Sequence, residues 1–290
     1  MEIMNINLQL FAENTQTIAT LSVENKTFYD KVLIREASAN LVHDQFGQKR
    51  PIPKNGSTRI EFRKFAALPK LTEAIEEGVT PDGQNISVTA ITAEAVQYGG
   101  YVVMSDKLEL TSIDNVVVEA VELIGRQAGL TLDTITRNIL NSGNNVMYCP
   151  KGDGTAVASR SALDATCKLN VAAVRKAAAL LKGVNAPKID GSYVAIIHPY
   201  AAHDLMSDPS FIDITKYGAS ERLFEGEIGK IAGVRFVESS EAKVFADGVY
   251  STLFMGANAY GVTEIEGGGL ETIIKQKGSA GTADPLISAA

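Results

Sequence analysis

One long run of residues, from about Ile113 to Asn141, repeats apolar side chains at steps of three and four and so predicts an amphipathic helix. Thr111 and Asp114 are spaced as in a capping box before this run, and Gly143 supplies a stop after it. About 29 residues at 1.5 Å each give a rod of roughly 43 Å, longer than most helices of globular proteins. The fold must therefore be built along one long helix. Its predicted apolar stripe consists of Ile113, Val117, Val121, Ile124, Ala128, Leu132, Ile135 and Ile139.

Between Asn55 and Ser105, two segments with strand-like alternation flank an acidic, turn-rich stretch from Leu68 to Asn85. They predict a long two-stranded ribbon. Because an isolated hairpin is only marginally stable in water, its apolar face needs another surface, either a neighbouring copy or the chain's own domain. We expect the first strand to be a subunit interface in which charged side chains set the register and apolar ones are buried. The charged residues are Arg59, Glu61, Arg63 and Lys64, and the apolar ones are Ile60, Phe62 and Phe65.

The rest of the chain mixes helices and strands without a regular strand-helix-strand repeat. We expect a first helix from Val23 that is closed by Gly47 and Pro51, with His43 on its surface, and a short alanine-rich helix over about Asn170 to Lys182. Tyr193 to Ile197 predicts a buried strand, after which His198-Pro199 opens a helix that ends at Asp208-Pro209. The predicted class is α+β and not a doubly wound parallel sheet. Four more segments are strand-like: Val234 to Val237, Val249 to Met255, Tyr260 to Ile265 and Leu270 to Lys275.

No set of residues has the spacing that a catalytic, cofactor or metal site requires. His198 and His203 are five apart, whereas two metal ligands on one helix face need three or four. The segment Gly226 to Lys230 superficially resembles a phosphate loop but is followed by Ile231 where a serine or threonine is required. We therefore expect no enzyme activity, no cofactor and no metal.

Charge and cysteine content narrow the partners and the compartment. A formal net charge of -7 argues against a protein that grips nucleic acid by neutralising phosphates. Cys149 and Cys167 are expected to be reduced thiols and not a structural disulfide. The first residues, Met1 to Ala12, lack the features of a signal peptide, and no apolar stretch approaches the roughly 20 residues that cross a bilayer, so no membrane partner is expected.

Four segments, taken together and in order, resemble the major capsid proteins of tailed bacteriophages. The most specific of them runs from Gly226 to Ser239, and the strand-helix segment from Val194 to Pro199 continues into Asp204-Leu205 and Asp208-Pro209. The other two are Asn7 to Ala12 and Ala283 to Leu286.

This resemblance implies the tailed-phage major capsid fold and its domain organisation. The parts would be an N-terminal arm, a first helix with its connection, an extended β-ribbon loop, a peripheral domain with a long spine helix, an axial domain, and the return strands of the peripheral domain. The corresponding residues would be 1–22, 23–54, 55–105, 106–186, 187–246 and 247–290.

The resemblance also implies a function. The chain would be a structural subunit that assembles with itself into pentamers and hexamers and closes an icosahedral shell around double-stranded DNA. Portal and scaffold proteins would be further partners, and the virion would assemble in the cytoplasm of a bacterial host. The alternatives are an encapsulin-like subunit of a cellular protein cage and, more distantly, a soluble enzyme of unknown type.

Overall fold

The computed structural model describes residues 30–37, 41–72, 74, 78, 80, 82–105, 108, 111–112, 116–211, 229–266, 269–270 and 287–289. The predicted N-terminal arm, the capping-box residue Asp114 and residues 271–275 of the last predicted strand lie outside this part of the chain. Two units can be distinguished. The first comprises Met1–Phe46, Gly99–Ala257 and Leu270–Ala290, and the second comprises Gly47–Tyr98 and Asn258–Gly269.

In the first unit, the predicted long helix is present as α2, Val116–Leu140, which at 1.5 Å per residue is about 37 Å long. Residues 30–37 form helix α1, which packs on α2 through Val32, Leu33 and Val121. The buried face of α2 differs from the predicted stripe, since Ile139 is 67% exposed. The side of α2 that is buried consists of Ala120, Val121, Gly125, Gly129 and Asp133.

Glycines explain this difference between the predicted and the buried face. A Cβ at Gly125 would lie 3.0 Å from the carbonyl oxygen of Leu33, and one at Gly129 would meet the carbonyl oxygen of Ala37. The missing side chains allow the backbone of α1 to lie directly against α2. A stripe drawn through large apolar residues alone therefore misses the side of α2 that is closest to its neighbour.

The first helix was predicted to continue through Val42 to Phe46, which is wrong, because residues 41–46 form a non-helical turn segment. Here the backbone nitrogens of Val42 and His43 donate to Asp133 Oδ1 at 2.8 and 2.7 Å, instead of to helical carbonyl oxygens. His43 was predicted to be a surface residue and is instead fully buried. Its Nδ1 lies 2.7 Å from Asp133 Oδ2, and since a carboxylate can only accept, Nδ1 is the donor.

A four-stranded mixed sheet forms the centre of the rest of the first unit. One of its two inner strands is β5, Tyr193–Ile197, in which all five residues are buried, as the continuous apolar run predicted. β5 is parallel to β7, Val234–Glu238, and antiparallel to β8, Leu253–Met255, while β6, Lys230–Ile231, extends the far side of β7. Because this sheet combines both strand directions and is accompanied by helices, the α+β prediction is confirmed.

Two helices cover this sheet, both close to their predicted positions. Helix α3, Val171–Gly183, begins after Asn170, whose side chain accepts from the backbone nitrogen of Ala173 at 2.8 Å. Helix α4 is Pro199–Met206, and the Nδ1 atom of His198 caps it by accepting from Tyr200 N at 3.2 Å. The predicted role of His198 at a strand-helix junction is thus confirmed. Buried side chains of both helices and the sheet form one core: Val171, Val174, Ala178, Tyr193, Ala195, Ile197, Ala201, Ala202, Leu205, Ile231 and Val234.

The turn between β6 and β7 has an unusual residue at a strained position. Ala232 and Gly233 are its two central residues and have φ angles of 53° and 84°. A turn with two positive φ values suits a tight hairpin, but a Cβ in this conformation costs about 1–2 kcal/mol. We expect Ala232→Asn to raise the free energy of unfolding by about 1 kcal/mol, because asparagine tolerates the left-handed region. Thermal unfolding measures this, and Gly233→Ala, which adds a Cβ at the second position, should lower the midpoint instead.

The predicted strands near the end of the chain are shorter than expected. Of Val249 to Met255, only β8 is a strand. Val249 and Tyr250 instead belong to a tight turn, in which Phe245 N donates to Val249 O at 2.9 Å, Gly248 has φ 72° and Val244 bridges to Tyr250. Strand β4, Val103–Ser105, pairs antiparallel with strand β10, Ile287–Ala289.

In the second unit, the predicted Tyr260 to Ile265 strand is reduced to β9, Gly261–Val262, which runs parallel to β1, Gln48–Lys49. Ile52 and Ile265 add one further bridge in the same direction. The second unit also contains the ribbon, which is described next.

Candidate assembly interface

The predicted ribbon is present in the second unit as two antiparallel strands. β2, Arg59–Phe65, pairs with β3, Val88–Glu94, in a continuous register from Arg59 opposite Glu94 to Phe65 opposite Val88. One more backbone bond lies beyond each end of this register, from Ala66 N to Ser87 O and from Ala95 N to Thr58 O. The alternating sequence therefore identified both strands.

The two faces of the ribbon differ from the prediction at two residues. Because successive side chains point to opposite faces, Ile60, Phe62 and Lys64 share one face, and Phe65 lies on the other with the charged side chains. The alternation of apolar and charged residues is interrupted at Arg63-Lys64, where two charged residues are adjacent. The backbone of the strand nevertheless continues without a bulge, so its side chains still alternate between the two faces. Lys64 and Phe65 have therefore exchanged the faces that were assigned to them. The second face consists of Arg59, Glu61, Arg63 and Phe65, opposite Glu94, Thr92, Ala90 and Val88.

Phe62 is engaged within its own chain. A Cβ at Gly261 would lie 2.5 Å from Phe62 Cε1, so the ring lies directly on the backbone of β9. The guanidinium carbon of Arg50 is 5.9 Å from the centre of the same ring, and Arg50 Nη1 donates to Glu61 O at 3.2 Å. The half-buried Phe62 thus holds β2 to the base of its own unit and offers little surface to another copy.

Four charged side chains of the ribbon form two ion pairs with each other. Arg59 Nη2 lies 3.4 Å from Glu94 Oε2 on the opposite strand, and Arg63 Nη2 lies 3.8 Å from Glu61 Oε2 two residues earlier. All four side chains are more than half exposed, so solvent screens these pairs and each contributes little to stability.

The far end of the ribbon exposes large apolar side chains. Phe65 is 63% exposed and its cross-strand neighbour Val88 is 47% exposed, while Ile91 on the opposite face is 60% exposed. Clustered apolar side chains at the end of a ribbon are the kind of surface that other proteins bind, which makes this end the candidate interface. Ile60, Phe62 and Phe65 were identified from the sequence, but Val88 and Ile91 were not assigned to an interface, although their place in the second alternating segment was visible. Leu68, Leu71 and Ile86, just beyond the paired strands, are also more than half exposed.

The described residues hold no arrangement suited to metal chemistry. No group of three or more histidine, cysteine, aspartate or glutamate side chains among them is placed to hold a metal ion. His203 instead lies 4.0 Å from Asp204, and Lys168 Nζ lies 3.0 Å from the same carboxylate. Within the described part of the chain, no helix is long and apolar enough to span a membrane.

Three solved structures with a similar fold are capsids of bacteriophages. The capsid of cyanophage P-SCSP1u matches with a TM-score of 0.60 and 15% sequence identity over 86% of this chain and 82% of that chain. The capsid of Ralstonia phage GP4 gives 0.60 and 16% over 86% and 80%. The capsid of Helicobacter pylori bacteriophage KHP30 gives 0.58 and 14% over 83% and 77%. No curated protein sequence matches significantly.

The mixed α+β architecture, the long helix and the exposed ribbon define a protein of the tailed-phage major capsid fold. The family model for phage capsid protein matches residues 89–284, which is more than half of the sequence, and the chain belongs to that family. It is accordingly a structural subunit of an icosahedral virion shell that is assembled from many copies of itself.

Proposed function

We propose that the ribbon is the extended loop through which each subunit holds an adjacent copy in the shell. The single observation that carries this proposal is the pair of exposed apolar side chains, Phe65 and Val88, at the far end of two strands. A hairpin of two strands is marginally stable in water, and covering such a pair removes apolar surface from solvent. Since a closed shell repeats the contact many times, each contact can be weak while the shell is stable.

In this proposal the residues of β2 have different roles. Phe65 inserts into the neighbouring copy, and Ile60 and Phe62 keep β2 attached to its own unit. The paired charges of Arg59, Glu61 and Arg63, together with Lys64, form the polar rim, which favours correct over incorrect alignments more than it adds affinity.

Phe65→Asp is expected to abolish closed particles. Burying a phenylalanine side chain is worth about 1.5–3 kcal/mol, so its loss weakens each contact by roughly 10- to 100-fold, and the effect is repeated around the shell. Negative-stain electron microscopy and sedimentation of the purified protein measure this result. Phe65→Leu, which remains apolar, should still form particles.

Two observations separate an assembly defect from a folding defect. Circular dichroism and the thermal midpoint of the dispersed Phe65→Asp subunit should equal those of wild type, because Phe65 is mostly exposed. Phe62→Asp should lower the midpoint of the dispersed subunit, because that ring packs on Gly261. Normal particles from Phe65→Asp would refute the assignment of the ribbon.

The proposal extends to the domains and the contents of the shell. Residues 1–22 would be the arm, 55–105 the extended loop, 106–186 and 247–290 the peripheral domain, and 187–246 the axial domain. The sheet of the proposed axial segment also includes β8 from 247–290, and α3 from 106–186 packs on it, so these segments share one core. With a formal net charge of -7, the subunit suits a container that encloses double-stranded DNA without gripping it. Portal and scaffold proteins would be its partners, and assembly would take place in the host cytoplasm.

A further inference from the structure

A surface loop in the first unit begins and ends at almost the same place. Lys151 Nζ lies 3.2 Å from Asp164 Oδ2, and Gly152 N donates to Thr166 Oγ1 at 3.1 Å. A Cβ at Gly152 would be 3.4 Å from Thr166 Cβ, which is van der Waals contact. The residues between these contacts therefore form a closed loop with a narrow neck.

The two cysteines of the sequence lie at this neck. Cys149 lies two residues before Lys151, where the neck begins, and Cys167 lies one residue after Thr166, where it ends. Both cysteines are free and partly buried. Asp164 fixes the sulfur of Cys167, which accepts from Asp164 N and donates to Asp164 Oδ1, both at 3.5 Å. Burial raises the pKa of the Cys149 thiol, and Cys167 raises it further.

We propose that Cys149 and Cys167 are a modification site, at which an intramolecular disulfide closes the neck of the loop after the virion leaves the reducing cytoplasm. This inference rests on the proposed function, since only a particle that assembles inside a cell and is then released changes its redox compartment. Disulfide formation requires Cβ atoms about 4 Å apart. The contacts of Lys151 with Asp164 and of Gly152 with Thr166 hold together the two chain segments that carry the cysteines, which favours their approach.

The oxidant is a low-molecular-weight disulfide such as oxidised glutathione. Cys167 first loses its thiol proton to solvent. The resulting thiolate attacks one sulfur of the oxidant, and one glutathione thiolate leaves. The Cys149 thiolate, formed by loss of its proton, then attacks the sulfur of Cys167 and releases the second glutathione thiolate, which completes the Cys149–Cys167 bond. The two cysteines lose two electrons, and the oxidant gains them.

The test exposes the full-length, dispersed and fully reduced subunit to oxidised glutathione. Free thiols should fall from two to none, and the intact mass should decrease by two hydrogen atoms. Trypsin cuts at Lys151 and Arg160 and so separates the two cysteines, and a single linked peptide that carries both is the expected product. The thermal midpoint should rise by a few degrees on oxidation, because the disulfide restricts the unfolded chain.

Cys149→Ser and Cys167→Ser are the matched controls. Each should end with one bound glutathione and an unchanged midpoint. A wild-type chain that ends with two bound glutathiones, or as disulfide-linked dimers, would overturn the inference. Because the measurement uses dispersed subunits, a failure of Phe65→Asp to block particles would count against the proposed function without changing the result for the cysteines.

Discussion

Asp133→Ala is expected to destabilise the subunit by about 3–5 kcal/mol, because it removes the acceptor from a set of buried donors. Asp133 accepts from the backbone nitrogens of Val42 and His43, and its second oxygen is 2.7 Å from His43 Nδ1. The side chains of His43 and Asp133 have no exposed surface. Urea unfolding of the dispersed protein, followed by circular dichroism, measures the change.

Two further variants show whether the loss comes from these hydrogen bonds. Asp133→Asn keeps the shape and one acceptor oxygen, so its loss should be smaller than that of Asp133→Ala. Glu119→Gln removes a carboxylate from an exposed position on the same helix and should change stability by less than about 0.5 kcal/mol. Equal stability of Asp133→Ala and wild type would show that the turn at residues 41–46 does not depend on this carboxylate.

Asp133 also makes stability depend on pH. Burial by itself raises the pKa of Asp133, but hydrogen bonds from the side chain and backbone of His43 and from the backbone of Val42 outweigh it, and the net pKa lies below the ordinary 3.8. A carboxyl group with a lowered pKa in the folded state stabilises the protein above its unfolded pKa, and this contribution is lost as pH falls through the folded value. Below about pH 4, wild type should therefore lose stability more steeply than Asp133→Asn.

The elements that depend on local periodicity could be predicted from the sequence. In three elements, the pattern of neighbouring residues determines the conformation. These are the strand Tyr193–Ile197, the helix Val171–Gly183 and the two alternating strands of the ribbon. The His43–Asp133 pair has no such local signal, because its partners are 90 residues apart in the chain. The sequence does contain one indication of the buried side, since Gly125, Gly129 and Asp133 follow each other at intervals of four. A search for large apolar residues does not detect it, because two of the three residues are glycines.

The candidate interface was predicted in part for the same reason. Alternation identified β2, but it cannot show that Phe62 lies on Gly261, a residue from the far end of the sequence. Nor can it assign Phe65 to a face when two charged residues precede it in succession. Local pattern therefore located the ribbon, and packing between distant segments decided which of its side chains remain exposed.

Gly129→Ala is expected to destabilise the protein by about 1–3 kcal/mol, although alanine is the better helix former by about 1 kcal/mol. A Cβ at this position would meet the carbonyl oxygen of Ala37 and lie 3.0 Å from its Cα. Both atoms belong to the backbone, so the contact can be relieved only by a shift of the backbone, either of α1 as a whole or locally at Ala37. Gly129→Val should cost more, and thermal or urea unfolding measures both losses. Gly183→Ala, at the end of α3 with open space around it, should be neutral or slightly stabilising.

Gly125 tests whether α1 moves as one body. Its own Cβ would lie 3.0 Å from Leu33 O and 3.2 Å from Glu36 Cβ, so Gly125→Ala should also lower the free energy of unfolding. If a single outward shift of α1 relieves both contacts, the Gly125→Ala/Gly129→Ala double variant should lose less than the sum of the two single losses, with a coupling of about 0.5 kcal/mol or more. Strict additivity would mean that each contact is relieved locally. In that case the backbone of α1 bends separately at each contact.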